Sequence, residues 1–305
     1  MQRNFLFFIN PIAGTKSKDS LLQLIETTAR QKNLSYAVMQ TSKDGDYAYL
    51  PGKIAAEKIS DIVICGGDGT INQVAAQLVN IVVNIGIIPM GSGNGLAFAA
   101  GISKDPSAAL DIIFTGTATQ VDCFYINDKF SCMLCGLGFD AQVAHDFAAQ
   151  SSRGLSTYIQ QGIKRFFTAK TYPFTVDINN TSIRSNAFFI SIANSNQFGN
   201  NVTIAPRASL SDGLLDIVIV NKMNKIKMIF RLLKQIRSGK VQHITNGKHP
   251  ETAIQYFQAK TARIHNPSAA PLHIDGDPAE TSAYFEIKIR EKAFWLLQPS
   301  GSVKQ

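Results

Sequence analysis

The residues best suited to chemistry lie in the segment 61–72, where an apolar run gives way to three glycines around one acid. The run Ile62–Cys65 predicts a buried strand, and Thr70 is expected to cap a helix over Ile71–Val79. Glycines allow backbone N–H groups to approach a ligand, and a helix N-terminus adds partial positive charge. The segment is therefore suited to binding a phosphate, and Asp68 within it indicates a bridging Mg²⁺ or a proton transfer. The alternative is an ordinary strand–turn–helix corner in which Asp68 is a turn residue.

Glycine-rich loops follow three predicted strands: the first loop is Asn10–Gly14, the second is Gly66–Thr70 and the third is Gly91–Gly95. Because ligands bind beyond the carboxyl ends of the strands in an open α/β sheet, three such loops at one edge would surround a polyphosphate. Two common phosphate-binding motifs are excluded by spacing, since no G-x-x-x-x-G-K-[ST] occurs and the third loop has the form G-x-G-x-G. The loops thus predict a polyphosphate site that belongs to neither class.

Residues 1–121 predict a Rossmann-like α/β nucleotide domain, because strands and helices alternate there as in a parallel sheet with right-handed crossovers. The predicted strands are Asn4–Ile9, Tyr36–Gln40, Ile62–Cys65 and Val82–Pro89. The predicted helices are Asp19–Lys32, Gly45–Glu57 with an interruption at Pro51, Ile71–Val79, Leu96–Ala100 and Pro106–Phe114. The apolar stretch Ala293–Leu297 is expected to return to this domain, which adds residues 292–305 to it.

Residues 122–291 predict a second domain, an antiparallel β-sandwich with helical insertions, because short strands there alternate with Asn and Asp turns. Its predicted strands are Phe124–Ile126, Lys129–Leu134, Phe174–Ile178, Ser182–Ala193, Leu214–Val220, Ala259–Ile264 and Tyr284–Ile289. Helices are expected over about Leu155–Thr168 and Lys225–Arg237. The predicted fold class is therefore α/β followed by β.

The composition is that of a folded protein, with 45% hydrophobic and 17% charged residues. No stretch approaches the ~20 consecutive apolar residues that a membrane span requires, and Met1–Asn10 lacks the features of a signal peptide. The four cysteines follow no framework pattern, which indicates a reducing cytoplasm. A net charge of +8 favours anionic partners, but nucleic acid is not expected because no basic strand face carries interleaved aromatic residues.

Six segments form an ordered series of motifs along the chain: Asn10-Pro11 with Gly14, Gly66–Thr70, Gly91–Asn94, Gly136–Ala141, Asn194–Asp216 and Asp275–Pro278. In type and order they resemble the motifs of the diacylglycerol kinase and sphingosine kinase superfamily, and the bacterial soluble branch is closest in length. The resemblance covers essentially the whole chain. It implies a lipid kinase that uses ATP and Mg²⁺ and has a nucleotide domain followed by an acceptor domain.

The resemblance also implies roles for particular residues in binding the nucleotide and metal. The residues implied at the nucleotide are Asn10, Gly14, Thr41, Gly66, Gly67, Asp68, Gly69, Thr70, Ile71, Asn72, Ser92, Gly93 and Asn94. Asp68 would help to bind the catalytic Mg²⁺ or orient its waters. A structural Mg²⁺ would use the Asp212 carboxylate and the carbonyl groups of Ser209 and Leu214, with Asp216 close by.

Asp275 and Asp277 are the acids implied for catalysis in the second domain. Asp277 stands where the family has its catalytic Glu, and Asp275 precedes it as in the family. The shorter carboxylate predicts a compensating loop, a contribution from Glu280 or weak activity, because a shift of about 1 Å can cost roughly a hundredfold in rate. From the residues alone, the two acids point to opposite sides of a strand end, so only one faces the substrate; the alternative is a turn between Leu272 and Tyr284.

The segment Lys222–Lys240 carries seven basic residues together with apolar residues at helical spacing, which predicts a basic amphipathic helix. Such a helix can lie on an anionic bilayer, or it can pack on the second domain with a solvated basic face. The segment Gly162–Phe167 has the same character and the same two interpretations. We therefore expect a cytoplasmic protein that contacts an anionic membrane surface transiently, and a homodimer is left open.

The expected function is transfer of the γ-phosphate of ATP to a lipid hydroxyl, with diacylglycerol, a sphingoid base or a related lipid alcohol as acceptor. Gly95 stands where many bacterial diacylglycerol kinases have Asp, and this difference slightly favours a long-chain base as the acceptor. One alternative is a soluble-metabolite kinase that resembles NAD kinases, which share the G-G-D-G-T loop. The other is a nucleotide- or lipid-binding module with little turnover, which is motivated by Asp277 in place of Glu.

Overall fold

The computed structural model describes residues 3–14, 17–150, 168–197, 204–222 and 254–301 of the 305-residue chain. The chain divides into two compact units. The first unit consists of Met1–Asp122 and Lys292–Gln305, and the second consists of Cys123–Glu291. The boundaries fall within two strands, Thr117–Ile126 and Tyr284–Gln298.

A parallel sheet forms the centre of the first unit. Its strands are β1 (Asn4–Ile9), β2 (Ser35–Gln40), β3 (Asp61–Gly66) and β4 (Asn84–Pro89), in the spatial order β2–β1–β3–β4. The final residues of Tyr284–Gln298 add a parallel strand beside β4, with Trp295 opposite Asn84. The central strands β1, β3 and β4 are almost completely buried, as their continuous apolar runs predict for a parallel sheet covered on both faces.

Five helices connect the strands in the described part of the first unit: α1 (Lys18–Gln31), α2 (Leu50–Glu57), α3 (Asp68–Ala76), α4 (Gly95–Ala99) and α5 (Pro106–Thr115). Two of them have side-chain N-caps. The Ser17 hydroxyl accepts the N–H of Asp19 at the start of α1, and the Asp105 carboxylate accepts the N–H of Ala108 at the start of α5. Local sequence signals therefore fix where α1 and α5 begin.

Two other helix starts differ from the sequence prediction. The prediction that Thr70 caps the helix is wrong, because α3 begins at Asp68 with Gly67 as an N-cap in extended conformation. Thr70 lies inside the first turn, and its hydroxyl is used elsewhere. The prediction that Pro51 interrupts a helix is also wrong, because α2 begins at Leu50 and Pro51 stands in its first turn. Proline fits there because a first-turn N–H has no partner within the helix.

The second unit is built from antiparallel strands. Including the two strands shared with the first unit, these are β5 (Thr117–Ile126), β6 (Lys129–Ser131), β7 (Leu134–Gly138), β8 (Tyr172–Ile178), β9 (Thr181–Ala193), β10 (Leu215–Asn221), β11 (Ile254–Ala259), β12 (Thr261–His265), β13 (Leu272–Ile274), β14 (Asp277–Ala279) and β15 (Tyr284–Gln298). The strand order is β14–β13–β7–β9–β8–β12–β15, and β10 lies between β9 and β11. The helix α6 (Phe139–Ala148) follows β7.

The long strand β9 organises this unit. Its first part pairs with β8, from Thr181 opposite Ile178 to Ala187 opposite Tyr172. Its last part pairs with β7 and with β10, so that Ala193 lies opposite both Leu134 and Asp216. One apolar core cluster collects side chains from nearly all of these strands. The predicted fold class, a parallel α/β domain followed by an antiparallel β domain, is confirmed.

Several elements of the second unit differ from the sequence prediction. The helix α6 and the strand β11 are not predicted, and the predicted strand Lys129–Leu134 is divided between β6 and β7. The predicted strands Tyr284–Ile289 and Ala293–Leu297 are parts of one strand, β15. The charged residues between these two apolar stretches interrupt the apolar pattern of the sequence. The strand nevertheless continues through them, because its hydrogen-bonded partners continue.

Some predictions fall on residues that the structure does not describe. They are the greater part of the helix predicted over Leu155–Thr168, the helix predicted over Lys225–Arg237, the segment Gly162–Phe167 and all but the first residue of Lys222–Lys240. Within the described ranges, no helix has the length and apolar content needed to cross a membrane.

Candidate active site

Asn10 joins the first loop to the helix that follows the second loop. It comes directly after β1, and its backbone N–H donates to the carbonyl of Cys65 at 3.0 Å. Its side-chain Nδ2 donates to Thr70 Oγ1 at 2.9 Å, and its Oδ1 accepts the N–H of Ile12 at 3.0 Å. One amide side chain therefore fixes both the course of the first loop and the first turn of α3.

Glycines allow the loops to approach one another at backbone distance. A Cβ on Gly91 would lie 2.7 Å from the Cα of Gly67, and a Cβ on Gly14 would lie 2.7 Å from the carbonyl oxygen of Met90. A Cβ on Gly66 would lie 2.9 Å from the Cβ of Thr70. Separations under 3 Å are not tolerated by real side chains, so the three loops pack together only because these positions lack one.

Asp68 links the second loop to the third through both carboxylate oxygens. Its Oδ2 accepts the N–H of Asn94 at 2.7 Å, and its Oδ1 accepts the N–H of Gly95 at 2.8 Å. A Cβ on Gly93 would lie 2.7 Å from Oδ2, so this glycine makes room for the carboxylate. The sequence predicted Asp68 as a metal or proton-transfer residue and missed this positioning role. The Mg²⁺ role of Asp68 stays a prediction.

Asn94 closes the third loop on itself. The residue is fully buried and has a left-handed backbone with φ of 56°. Its Oδ1 accepts the N–H of Gly91 at 2.8 Å, and its Nδ2 donates to the Gly91 carbonyl at 2.8 Å. The Asn94 side chain, which the sequence predicted at the nucleotide, is therefore engaged in holding the loop.

The remaining residues predicted at the nucleotide lie on or beside the same loops: Thr41 after β2, Gly69, Ile71 and Asn72 in α3, and Ser92 in the third loop. Ser92 is exposed, whereas Ile71 is fully buried and its side chain belongs to the core. The N–H of Thr41 donates to the carbonyl of Ile9 at 3.1 Å, which places Thr41 beside the first loop. Their contact with a nucleotide stays a prediction.

The two acids predicted for catalysis in the second unit lie on a tight hairpin. Ile274 of β13 pairs with Asp277 of β14, and the two residues between them, Asp275 and Gly276, have φ of 49° and 89°. Positive φ at both positions is the geometry of the two-residue turns that join antiparallel strands. The sequence argument that the two acids point to opposite sides of a strand end is therefore wrong, because residues two positions apart share one face of a strand and Asp275 lies in the turn instead.

Asp275 is buried and Asp277 is exposed. The Asp275 carboxylate accepts hydrogen bonds from Ser131 Oγ at 2.6 Å and from the backbone N–H groups of Cys132, Met133 and Leu134 at 3.0, 3.1 and 2.9 Å. A carboxylate with four such donors fastens the hairpin to the segment 131–134. Of the two predicted acids, only Asp277 is accessible to a substrate.

The predicted structural metal site lies in the turn before β10. Asp212 is exposed, and its Oδ1 accepts the N–H of Leu214 at 3.0 Å. Gly213 between them has φ of 73°, and a Cβ there would lie 3.2 Å from the carboxylate of Glu291, an acid that the sequence did not single out. Among the described residues, no three His, Cys, Asp or Glu side chains form a metal-binding group. One carboxylate with two carbonyl oxygens is a type of donor set that Mg²⁺ uses, and the metal role of Asp212, Ser209 and Leu214 stays a prediction.

Asp216 lies in the core beside this turn. It is fully buried, and Tyr256 Oη donates to its Oδ1. Burial raises the pKa of the Asp216 carboxyl from its ordinary 3.8 to about 7, with the Tyr256 hydrogen bond acting in the opposite direction. Asp216 is therefore a buried acid that holds its proton unusually well, and not an exposed metal ligand.

Two family models match the chain. Residues 4–126 match the diacylglycerol kinase catalytic domain, and residues 134–291 match the YegS C-terminal NAD kinase beta sandwich-like domain. A relative from Chromohalobacter salexigens, named "Probable lipid kinase YegS-like", is 25% identical over 281 residues, which cover 90% of this chain and 87% of the relative. A relative from Salmonella arizonae, named "Probable lipid kinase YegS", is 28% identical over 273 residues, which cover 87% of each chain.

A solved structure supports the same fold. It is described as a diacylglycerol kinase from Bacillus anthracis str. Sterne, and it aligns with a TM-score of 0.73, 18% identity and coverage of 97% of both chains. The matched catalytic domain and the names of the relatives identify a kinase with an α/β domain followed by a β-rich domain. The chain belongs to the family of the diacylglycerol kinase catalytic domain with a YegS-type C-terminal domain, which confirms the resemblance drawn from the motifs.

Proposed function

We propose that this kinase transfers the γ-phosphate of ATP to the hydroxyl group of a lipid alcohol. The observation that carries the proposal is the joining of the glycine loops, in which Asp68 accepts the N–H groups of Asn94 and Gly95 and Asn10 donates to Thr70. Loops joined in this way, together with the N-terminus of α3, suit a triphosphate, because phosphoryl transfer depends on positioning and charge stabilisation. The names of the relatives, probable lipid kinases, support a lipid as the acceptor.

We assign the general base to Asp277. In the proposed reaction the lipid oxygen attacks the γ-phosphorus, the bond from that phosphorus to the ADP oxygen breaks, and the hydroxyl proton passes to a carboxylate. Asp277 is exposed at the start of β14, whereas the Asp275 carboxylate is buried among five donors, the four named above and Cys132 Sγ at 3.5 Å. Asp275 is accordingly proposed as a positioning residue and not as the base.

Mg²⁺ is the proposed metal. Bound to the phosphates, it would neutralise the charge that develops on the transferred group. Asp68 would help to orient the waters of that ion while it holds the second and third loops together. A second, structural Mg²⁺ would be held by the Asp212 carboxylate and by the carbonyl oxygens of Ser209 and Leu214.

A lipid acceptor requires contact with a membrane surface, and we propose the basic segment Lys222–Lys240 for this contact. Its seven Lys and Arg residues suit an anionic surface, where each basic residue contributes about 1 kcal/mol and added salt weakens the attraction. The proposal places the protein in the cytoplasm with transient peripheral binding. Co-sedimentation with anionic vesicles that weakens with salt supports it, and equal binding to neutral vesicles contradicts it.

A phosphate-transfer assay tests the proposed function. Purified protein is incubated with radiolabelled ATP, Mg²⁺ and mixed micelles that contain either diacylglycerol or a sphingosine-like base. Labelled lipid with either acceptor is the expected result, and the ratio of the two rates identifies the acceptor class. Labelled NADP from added NAD, with no labelled lipid, would favour the soluble-metabolite kinase. ATP binding without transfer to any acceptor would favour the binding module.

A further inference from the structure

A buried histidine supports the hairpin that carries Asp277. The strands β13 and β14 have three residues each, and an isolated hairpin of that size has little stability of its own. The location of Asp277 therefore depends on how the hairpin is held by its surroundings. Asp275 provides one attachment, to the segment 131–134. The pairing of β13 with β7 provides a second attachment, and the side chain of His273 on β13 hydrogen-bonds the turn from within the hairpin.

His273 holds the peptide group between Asp275 and Gly276, one residue before Asp277. Its side chain is 1% exposed, and its Nδ1 accepts the backbone N–H of Gly276 at 3.3 Å. Because Nδ1 is the acceptor, a neutral ring must carry its proton on Nε2. A proton on Nδ1 would set an N–H group against the N–H of Gly276 and break the attachment. The hold on the hairpin thus requires one particular tautomer of His273.

Asp140 favours that tautomer. Its Oδ2 lies 3.5 Å from His273 Nε2, and its Oδ1 accepts the N–H of Ala141 at 2.8 Å in the first turn of α6. Asp140 is 6% exposed, so water competes little for this contact. The two atoms are close without a hydrogen bond between them, so Asp140 acts on a proton at Nε2 through its charge, which favours Nδ1 as the acceptor.

Gly136 gives the two side chains the space to meet. It lies opposite His273 in the pairing of β7 with β13. A Cβ at this position would lie 2.0 Å from Asp140 Oδ2 and 2.6 Å from His273 Nε2. Any side chain at position 136 would separate the acid from the histidine. The residues at three positions, Gly136, Asp140 and His273, are therefore all needed for one contact.

We propose that Asp140 and His273 form a positioning pair that sets the location of the Asp277 carboxylate through the backbone of Gly276. The inference rests on the proposed function, in which Asp277 is the general base. His273 is not proposed as a second base, because it is buried and its Nδ1 is occupied by Gly276. Placement of the backbone matters more for Asp277 than for a glutamate, since the shorter side chain has less reach.

The attachment itself is tested without any substrate. Nitrogen-15 NMR of histidine-labelled protein reports which ring nitrogen carries the proton, and the resonances of His273 are assigned from their loss in His273→Asn. The expected result is a neutral ring protonated on Nε2. Amide exchange of Gly276 should accelerate in His273→Leu and stay near the wild-type rate in His273→Asn, whose Oδ1 can replace Nδ1 as acceptor. A ring protonated on Nδ1, or Gly276 exchange unaffected by His273→Leu, would overturn the inference.

Three substitutions of His273 test the effect on catalysis and distinguish the roles of its two ring nitrogens. His273→Asn keeps an acceptor near Nδ1, His273→Gln keeps a donor near Nε2, and His273→Leu keeps neither. We expect the kcat of His273→Asn to lie within about fivefold of the wild-type value. For Gln and Leu we expect a loss of roughly a hundredfold with the KM for ATP unchanged, because a displacement of about 1 Å has that cost.

The control is His265→Asn, which changes a histidine in the same unit that stacks on Tyr284 and should leave kcat unchanged. Equal losses in all three His273 variants, or losses that follow their unfolding temperatures alone, would overturn the positioning role. Absence of lipid phosphorylation in the wild-type protein would overturn the proposed function and the catalytic part of the inference. The tautomer and exchange measurements would still decide whether the pair holds the hairpin.

Discussion

At the scale of single residues, three carboxylates of the described part of the chain, those of Asp68, Asp140 and Asp275, bind backbone N–H groups. Asp68 accepts two such groups, Asp275 accepts three, and Asp140 accepts one. Hydrogen bonds of this kind are charge-assisted and hold backbone segments in fixed positions. Asp277 differs from them because it is exposed. Residue type alone thus does not separate a positioning acid from a catalytic one.

The first residue-scale prediction contrasts Asp275→Asn with Asp277→Asn. An asparagine at 275 would turn an NH₂ group toward backbone donors, so we expect a loss of about 3 kcal/mol in the free energy of unfolding. Asp277→Asn, at an exposed position one residue beyond Gly276, should change it by less than about 0.5 kcal/mol. Urea unfolding of the three proteins measures both values. Equal stabilities of the two variants would contradict the assignment of Asp275 as the fastening residue.

The second residue-scale prediction concerns Asp216 and pH. Because burial raises the pKa of Asp216 to about 7, the folded state keeps a proton that the unfolded state loses near 3.8. This contribution to stability is complete below the lower pKa and is lost as the pH rises toward the higher one. The free energy of unfolding of Asp216→Asn, taken relative to that of wild type, should therefore rise by about 3 kcal/mol between about pH 5 and about pH 8. Stability curves that stay parallel over this range would contradict the raised pKa.

The sequence locates most of these acids but not what they bind. Asp68 is found from its glycine-rich segment, and Asp275 and Asp277 are found from the family resemblance, whereas the donors to Asp68 lie 26 and 27 residues away and those to Asp275 lie 141 to 144 residues away. Such partners are set by tertiary packing, which local spacing does not encode. His273 and Asp140 give no local signal either, because their contact depends on the register of β7 with β13.

At the scale of elements, the three glycine loops form one assembly after the ends of β1, β3 and β4. In this assembly Gly91 lies so close to Gly67 that a Cβ added to Gly91 would be 2.7 Å from the Cα of Gly67. The backbone at that point has no flexible side chain that could move aside. The geometry of the glycine loops therefore depends on Gly91.

Gly91→Ala should separate the second and third loops. We expect ATP affinity to fall at least about tenfold, because the loops would no longer present their N–H groups together. Gly52→Ala is the matched control: it lies in α2 with nothing within 4 Å of an added Cβ, so it should raise stability by up to about 1 kcal/mol and leave ATP affinity unchanged. Isothermal titration with ATP measures both. An unchanged affinity in Gly91→Ala would contradict the assembly.

Elements with a strong local signal are predicted well from the sequence, and the others are not. The apolar runs of β1, β3 and β4 give their strands directly, and the helix starts predicted at Asp19 and Pro106 lie within one residue of those of α1 and α5. The helix α6 is missed because it follows Gly138 without a side-chain cap. The strand β15 is divided because its middle residues are charged, although its pairing partners make it continuous.

At the scale of the whole molecule, the proposal divides the reaction between the two units. The first unit would bind the nucleotide on its loops, and the second would supply the base and the acceptor site. The net charge of +8 suits both an anionic nucleotide and an anionic membrane surface. Each unit thus has a task that variants in that unit can test separately.

The proposed structural Mg²⁺ predicts a stability that depends on divalent cation. Mg²⁺ at about a hundred times its Kd should raise the free energy of unfolding by about 3 kcal/mol, and EDTA should remove the increase. Asp212→Asn should abolish the response, because it removes the one carboxylate of the proposed ligand set. Asp128→Asn, an exposed turn acid of the same unit, is the control and should respond like wild type. A response that survives Asp212→Asn would contradict the site.

The most direct test of the central claim is the rate of phosphate transfer from labelled ATP to lipid in wild type and Asp277→Asn. Loss of the base should lower kcat by roughly a hundredfold or more. The KM for ATP should stay unchanged, because the nucleotide is bound by the loops of the first unit. Asp128→Asn should keep the wild-type rate. A wild-type rate in Asp277→Asn would contradict the account, since the exposed acid of the hairpin would then have no part in the transfer.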